Sequence, residues 1–305
     1  MSETAASLRH QIATAGDLES VVRTMKAMAA SNIVQYENAV RSLGDYYRTV
    51  QLGLVACLRQ DEPPARSGEK TKGTIGAIVF GSDQGLVGQF NDVMAEYVVK
   101  TLGSLPGKKT VWAVGERMQS RLAETELMPL DGFTLPNSIS AITPLVGQIL
   151  IEVEARRAKG EITQVYLFHN RPQAGAIYTP VSQRLLPLDD AWRRDLAAIA
   201  WPTGNLPEVM GEGVHTLQAL VREYLFVSLF RACAESLASE NASRLAAMQR
   251  AEKNIDELLE DLQRTFHRLR QSGIDEELFD VISGFQALTN AQHSAELAAR
   301  KVGSV

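Results

Sequence analysis

Residues 240–288 read ENASRLAAMQRAEKNIDELLEDLQRTFHRLRQSGIDEELFDVISGFQAL. Apolar side chains recur in this stretch at alternating steps of three and four, through Leu245, Met248, Ile255, Leu259, Leu262, Phe266, Leu269, Leu278, Val281, Phe285 and Leu288. That spacing gathers them on one stripe of a helix, the seam of a coiled coil. No proline interrupts the run, and the rhythm slips near Gly273 and Gly284, where bends are expected. Followed backwards through Asn241, Leu237, Ala234, Val227, Tyr224 and Leu220, the stripe begins near Leu217. A helix of about seventy residues would span roughly 110 Å.

The other end of the chain repeats the signal through Leu8, Ile12, Ala15, Val22, Met25, Ala29, Tyr36, Val40, Leu43, Tyr47, Val50, Leu54 and Cys57. Gly44 and Gly53 are its internal weak points, each costing about 1 kcal/mol relative to Ala. Fifty residues here predict a rod of roughly 75 Å. Each stripe needs an apolar partner, and the simplest is the other one. Residues 1–60 and 211–290 are therefore expected to pair as antiparallel helices, with 291–305 as a C-terminal extension.

Between them the pattern changes. The segment DEPPARSGEKTKG, 61–73, is rich in Pro, Gly and charge and is expected to act as a connector. TIGAIVF (74–80), KTVWAVG (109–115), TQVYLFHN (163–170) and AIYTPVSQRLLPL then read as strands, separated by the helical stretches NDVMAEYVVKTLGSL and ISAITPLVGQILIEVEARRAKG. Strands alternating with helices predict a mainly parallel sheet covered on both faces. Residues 61–210 are thus expected to form the globular domain, closed by the loop AWPTGNLPEVMGEG. The fold class is α/β: a long antiparallel coiled coil of the N- and C-terminal helices plus a small Rossmann-like parallel-sheet domain.

Composition narrows the function. A net charge of −5 and a sequence pI near 5.7 argue against nucleic acid as a partner, because phosphate binding needs a clustered Lys/Arg excess. The two cysteines, Cys57 and Cys233, fall within helices and read as buried thiols. The N-terminal stretch lacks the basic and apolar regions of a secretory signal, and no run of about eighteen apolar residues occurs, so membrane association is expected only through partners. His10, His169, His215, His267 and His293 are scattered without an HExxH or triad-like grouping. No catalytic residue, metal site or cofactor is expected.

GSDQGLVG, 81–88, follows the first strand directly. Glycines at a strand-to-helix junction can cradle a phosphate. Yet the segment fits neither GxGxxG nor GxxxxGK[ST] and lacks the lysine for the outer phosphates. Gly81, Ser82, Asp83, Gly85 and Gly88 are read instead as a tight structural turn. GEKT at 68–71 is only a fragment of a phosphate-binding motif, with no strand before it.

Three segments, in order, resemble the gamma subunit of F-type rotary ATP synthases. VVRTMKAMAASN, 21–32, is similar to the family's Met-Lys pair followed by Ala-Ala-Ser. GSDQGLVGQFN, 81–91, resembles its Ser-Asp-Arg-Gly-Leu-Cys-Gly turn. Residues 240–288 resemble its longest signature, including the spacing of Arg244 and Met248, the Arg270-Gln271 pair, and Glu277-Leu278 before Ile282-Ser283-Gly284. The chain departs from the pattern in several places. Asn32, Ile33, Val34 and Gln35 replace a basic stretch, and residues 8–57 hold five Lys/Arg against four Asp/Glu. Gln84, Val87 and Asp275 stand where the family has Arg, Cys and Thr. These departures mark a divergent member.

The resemblance implies a non-catalytic central stalk that couples ion translocation through a membrane ring to ATP synthesis or hydrolysis. Its implied partners are the alpha and beta subunits, the epsilon subunit and the membrane c-subunit ring. Met25, Lys26, Arg244, Met248, Arg270 and Gln271 are the implied coupling contacts. The implied location is peripheral, at the cytoplasmic face of a bacterial inner membrane. Two rival expectations remain: a soluble nucleotide-binding α/β enzyme with helical dimerisation arms, and a plain coiled-coil scaffold.

Overall fold

The computed structural model describes residues 4–60, 73–205, 207–210 and 213–302. The connector at 61–72, with its GEKT fragment, lies outside the described residues. The elements in chain order are α1 (Ala5–Gln60), β1 (Ile75–Phe80), α2 (Phe90–Gly103), β2 (Lys109–Val114), α3 (Glu116–Ala123), β3 (Pro129–Phe133), α4 (Ile142–Ala158), β4 (Gln164–Gln173), β5 (Ala176–Leu186), α5 (Asp190–Ala197) and α6 (Gly213–Val302). The chain divides into two compact units: residues Met25–Met248, and Met1–Thr24 together with Gln249–Val305.

In the unit Met25–Met248 a five-stranded sheet runs in the order β3-β2-β1-β4-β5. The first four strands are parallel, while β5 returns antiparallel to β4 through a hairpin. Because side chains alternate along a strand, β1 feeds two separate cores. Ile75, Ala77 and Val79 pack with Met94, Val98 and Leu102 of α2 and with Met118 and Leu122 of α3. Ile78 and Phe80 point the other way, into a core with α4 and with residues of α1 and α6. The near-continuous apolar run of β1 follows from burial on both faces.

Within this unit α1 and α6 pair antiparallel. As α1 advances from Asn32 through Tyr46 and Tyr47 to Gly53, its partner on α6 recedes from Asn241 through Glu223 and Tyr224 to Leu220. The Asn32 amide donates to Asn241 Oδ1 at 3.3 Å. The Tyr46 hydroxyl lies 2.7 Å from Glu223, and the Tyr47 and Tyr224 rings stack with centroids 5.8 Å apart. A Cβ at Gly53 would come within 3.1 Å of the Leu220 side chain, so the missing side chain lets the two helices approach.

In the unit Met1–Thr24 with Gln249–Val305 the described residues from Ala5 onward belong to α1 and α6. Leu8 and Ala15 are buried, and the Arg9 guanidinium sits 5.2 Å from the Phe266 ring centroid. Helix α6 runs unbroken through Gly273 and Gly284, so the slips there do not end it. What changes is burial: Ile274, Leu278, Phe279, Val281, Ile282 and Phe285 are all exposed. Beyond Gly273 the stripe is left uncovered by α1, in keeping with the unequal lengths expected of the two helices. The reason is length, because α1 begins at Ala5 and has already reached Phe266 at Arg9.

Candidate functional site

The glycine-rich segment forms a turn in which the side chains of Ser82 and Asp83 bond within the chain. The Gly81 N–H donates to the Val114 carbonyl at 2.9 Å, and a Cβ on Gly81 would lie 2.3 Å from Met118 Cβ. Ser82 is fully buried; its N–H donates to Asn91 Oδ1 at 3.0 Å, and its hydroxyl donates to the Gln84 carbonyl and accepts from the Asn91 amide. The Asp83 carboxylate accepts the Glu116 N–H at 3.0 Å and the Leu135 N–H at 3.3 Å. An aspartate of the chain itself thus supplies the negative charge favoured at the start of α3. Gly88 has a φ of 58°, Gly85 lies beside the Arg117 guanidinium, and Leu86 holds a positive φ of 62° with its side chain exposed.

A sheet ordered 3-2-1-4-5 has its topological switch point between β1 and β4. In open α/β folds the crevice at the carboxyl ends of the strands there is the usual ligand site. Here α6 fills it. Glu235, Ser239 and Ser243 recur at four-residue spacing, one face of the helix, and all three are buried. Glu235 accepts from His169 Nε2 at 2.8 Å, Arg171 Nε at 2.9 Å and Arg231 Nε at 2.7 Å. The Ser239 hydroxyl is 3.1 Å from the Asn170 carbonyl, and the Ser243 hydroxyl donates to the Val87 carbonyl at 2.6 Å. The Asn170 amide in turn donates to the Phe90 carbonyl at the start of α2.

The charges follow from this geometry. Burial alone would raise the Glu235 carboxyl, but hydrogen bonds from His169, Arg231 and Arg171, together with the His169 charge once that ring is protonated in acid, bring it down to about 2. Burial pushes the His169 imidazole down, against the pull of Glu235. A neutral His169 therefore donates through Nε2, leaving Nδ1 as a buried acceptor without a hydrogen-bond partner among the described residues.

Beside this seam is a cleft of about 360 Å³. It brings together Met25 and Met28 of α1, Asp83 and Gln84 of the turn, and Glu240 and Arg244 of α6. Arg244 is held by Glu240 at 2.6 Å. Burial pushes the Glu240 carboxyl up, and Asp83 adds to that against the opposing pull of Arg244. Two residues singled out in the sequence, Met25 and Arg244, thus share one cleft although 219 positions separate them.

The family model described as ATP synthase matches residues 4–288, nearly the whole chain. This chain belongs to the ATP synthase gamma-chain family. The ATP synthase gamma chain of Polynucleobacter asymbioticus is 25% identical over 289 residues, covering 92% of this chain and 98% of its own. That of a Nocardioides species is 26% identical over 300 residues, covering 94% of this chain and 97% of its own. Among solved structures, a chain of the Euglena gracilis mitochondrial ATP synthase has the same fold, with a TM-score of 0.61 at 15% identity over 94% of this chain and 95% of that one. A chain from the central stalk and c-ring of the Tetrahymena thermophila mitochondrial enzyme gives 0.52 at 20% identity, over 76% of this chain and 99% of that one.

The remaining positions implied by the gamma-chain resemblance are scattered. Lys26 is half-buried on α1, whereas Met248 is only 3% exposed. Arg270 and Gln271 are exposed on α6 in the other unit. Sequence reasoning missed Glu235, His169, Ser239 and Ser243. The available signal was RACAESLASENAS, 231–243, where small and polar residues crowd a helix that elsewhere carries Leu and Phe. Among the described residues no group of three or more His, Cys, Asp or Glu side chains could hold a metal ion, and no helix is long and apolar enough to cross a membrane.

Proposed function

We propose that this gamma-family chain is the rotor shaft of a membrane-associated F-type ATP synthase, non-catalytic itself. It would couple ion flow through a c-subunit ring to ATP synthesis or hydrolysis in a head of alpha and beta subunits, with epsilon at the α/β domain. The observation that carries this reading, beyond family membership, is the occupied switch point. The crevice where an α/β enzyme would hold a nucleotide contains α6 side chains bonded to the ends of β4 and to the turn after β1. The domain is thereby turned from a binding site into a mount for a helix. A shaft that meets equivalent catalytic sites asymmetrically biases each towards a different conformation, because contacts that differ between states shift their populations.

In this proposal Met25, Lys26, Arg244, Arg270 and Gln271 meet the head subunits, and Met248 contributes through packing behind that surface. Arg244 keeps guanidinium donors beyond the one engaged by Glu240, suited to carboxylates or carbonyls of a partner. Residues 1–60 and 211–290 serve as the shaft, 61–210 as the foot and 291–305 as an extension. The location is peripheral, at the cytoplasmic face of a bacterial inner membrane.

The test is purification of a tagged chain from its own membranes, with the co-purifying subunits identified by mass spectrometry. Alpha, beta, epsilon and c subunits are expected. A second arm titrates the purified chain with ATP: saturable one-to-one binding would overturn the rotor reading in favour of a nucleotide-binding enzyme.

A further inference from the structure

The seam of Glu235, Ser239 and Ser243 is built differently from the rest of the packing around α6. Most of that packing is apolar, through Leu225, Leu229, Cys233 and Leu237. Apolar contact resists separation but is non-directional, so it opposes a sideways slide only through side-chain interlocking. Hydrogen bonds and ion pairs are directional, and a slide of an ångström or two leaves their buried groups unpaired. Torque passing between a domain and a helix laid across it acts in that sideways direction.

We propose that this stripe is the torque-bearing joint between the α/β domain and α6. The inference rests on the rotor reading above and assigns to residues of this chain the place where force crosses. Glu235 is anchored to β4 by His169 and Arg171 and to its own helix by Arg231. The Ser239 hydroxyl shares its one hydrogen between the Asn170 carbonyl at 3.1 Å and the Glu235 carbonyl of its own helix at 2.8 Å, and Ser243 donates to the Val87 carbonyl. Asn170 extends the connection to the first residue of α2. The three α6 residues lie one turn apart on one face, so any shift of the helix breaks all three links together. Removing the Glu235 charge leaves the buried His169 without its acceptor and takes from the partly exposed Arg171 and Arg231 the carboxylate that joins them. A buried polar group left unpaired costs more than a lost hydrogen bond contributes.

The test uses the whole complex in inverted membrane vesicles, comparing the native chain with Glu235→Gln, Ser239→Ala and, as an apolar control, Leu229→Ala. Glu235→Gln keeps shape and loses charge, whereas Ser239→Ala loses only a hydroxyl. ATP hydrolysis and ATP-driven ion pumping are read per assembled complex, first with the gradient collapsed by an uncoupler and then as an opposing gradient builds. For both seam variants, unloaded hydrolysis is expected to match the native complex, while the pumping-to-hydrolysis ratio falls by about twofold or more at the highest gradient. Leu229→Ala is expected to lower the amount of complex and leave that ratio unchanged at every load. Seam variants that keep the native ratio under load, or a control that loses it equally, would overturn the joint while leaving the rotor reading intact. A native complex that hydrolyses ATP without pumping would remove the rotor reading itself.

Discussion

Helix α6 carries two apolar stretches with opposite fates. Between Tyr224 and Asn241 nearly every side chain is buried, Leu229 at 1% and Cys233 at 0% exposure. Between Ile274 and Phe285 the apolar side chains stand in the open, Phe279 at 68% and Phe285 at 71%. Hydropathy spacing is similar in both, and the rhythm alone does not tell them apart. The difference teaches that a coiled-coil stripe records a need for cover without recording who supplies it. In the first stretch this chain supplies the cover itself, through α1 and the sheet. In the second the apolar side chains stay exposed, and the rotor reading would give the head subunits the task of covering them.

That contrast can be broken experimentally, and the largest effect belongs to the buried stretch. Leu229→Ala should lower stability by about 2–5 kcal/mol, through lost transfer energy and the cavity left behind, measured by urea denaturation of the purified chain. Acid should come next. The Glu235 carboxyl lies near 2 when folded, against 4.5 ordinarily, so its contribution is present above pH 4.5 and fades as pH falls towards 2. That contribution amounts to about 3 kcal/mol at most. His169, pushed below its ordinary value, adds stability above pH 6.5 that is lost as pH drops. Native protein should therefore weaken steadily below pH 6.5, and Glu235→Gln should flatten the part of the curve below 4.5. An unchanged acid limb in that variant would contradict the seam's electrostatics.

Smaller still is Gly81→Ala, whose new methyl meets Met118 Cβ and should cost about 1–3 kcal/mol by overpacking. Phe279→Ser in the open stretch should move the isolated chain by less than about 0.5 kcal/mol, yet reduce its assembly with alpha and beta subunits in a pull-down. A large loss of intrinsic stability there would show that this chain, after all, covers its own far end.

The long helices and the parallel strands were legible because their signals are periodic and local. The strand β3, Pro129–Phe133, was not, since PLDGF combines Pro, Asp and Gly and pairs along one edge only. Helices α3 and α5 span eight residues each, too short for periodicity to accumulate against polar neighbours. The strand β5 was read, but its antiparallel sense depends on the hairpin at Gly175, whose φ is 83°. The seam was hidden for another reason. His169 and Glu235 lie 66 positions apart, and nothing in either neighbourhood announces the other. Asn241, which the apolar rhythm swept into the stripe, proved to be a polar contact to Asn32 across the helix pair.

The alternation along β1 makes the sheet a partition. Ile78 and Val79 are adjacent in the chain, yet one faces the layer of α1, α4 and α6 and the other the layer of α2 and α3. Isotope labels on these two neighbours would act as separate sensors, one on each side of the wall. A change confined to the layer of α1, α4 and α6 should shift the Ile78 signal more than that of Val79.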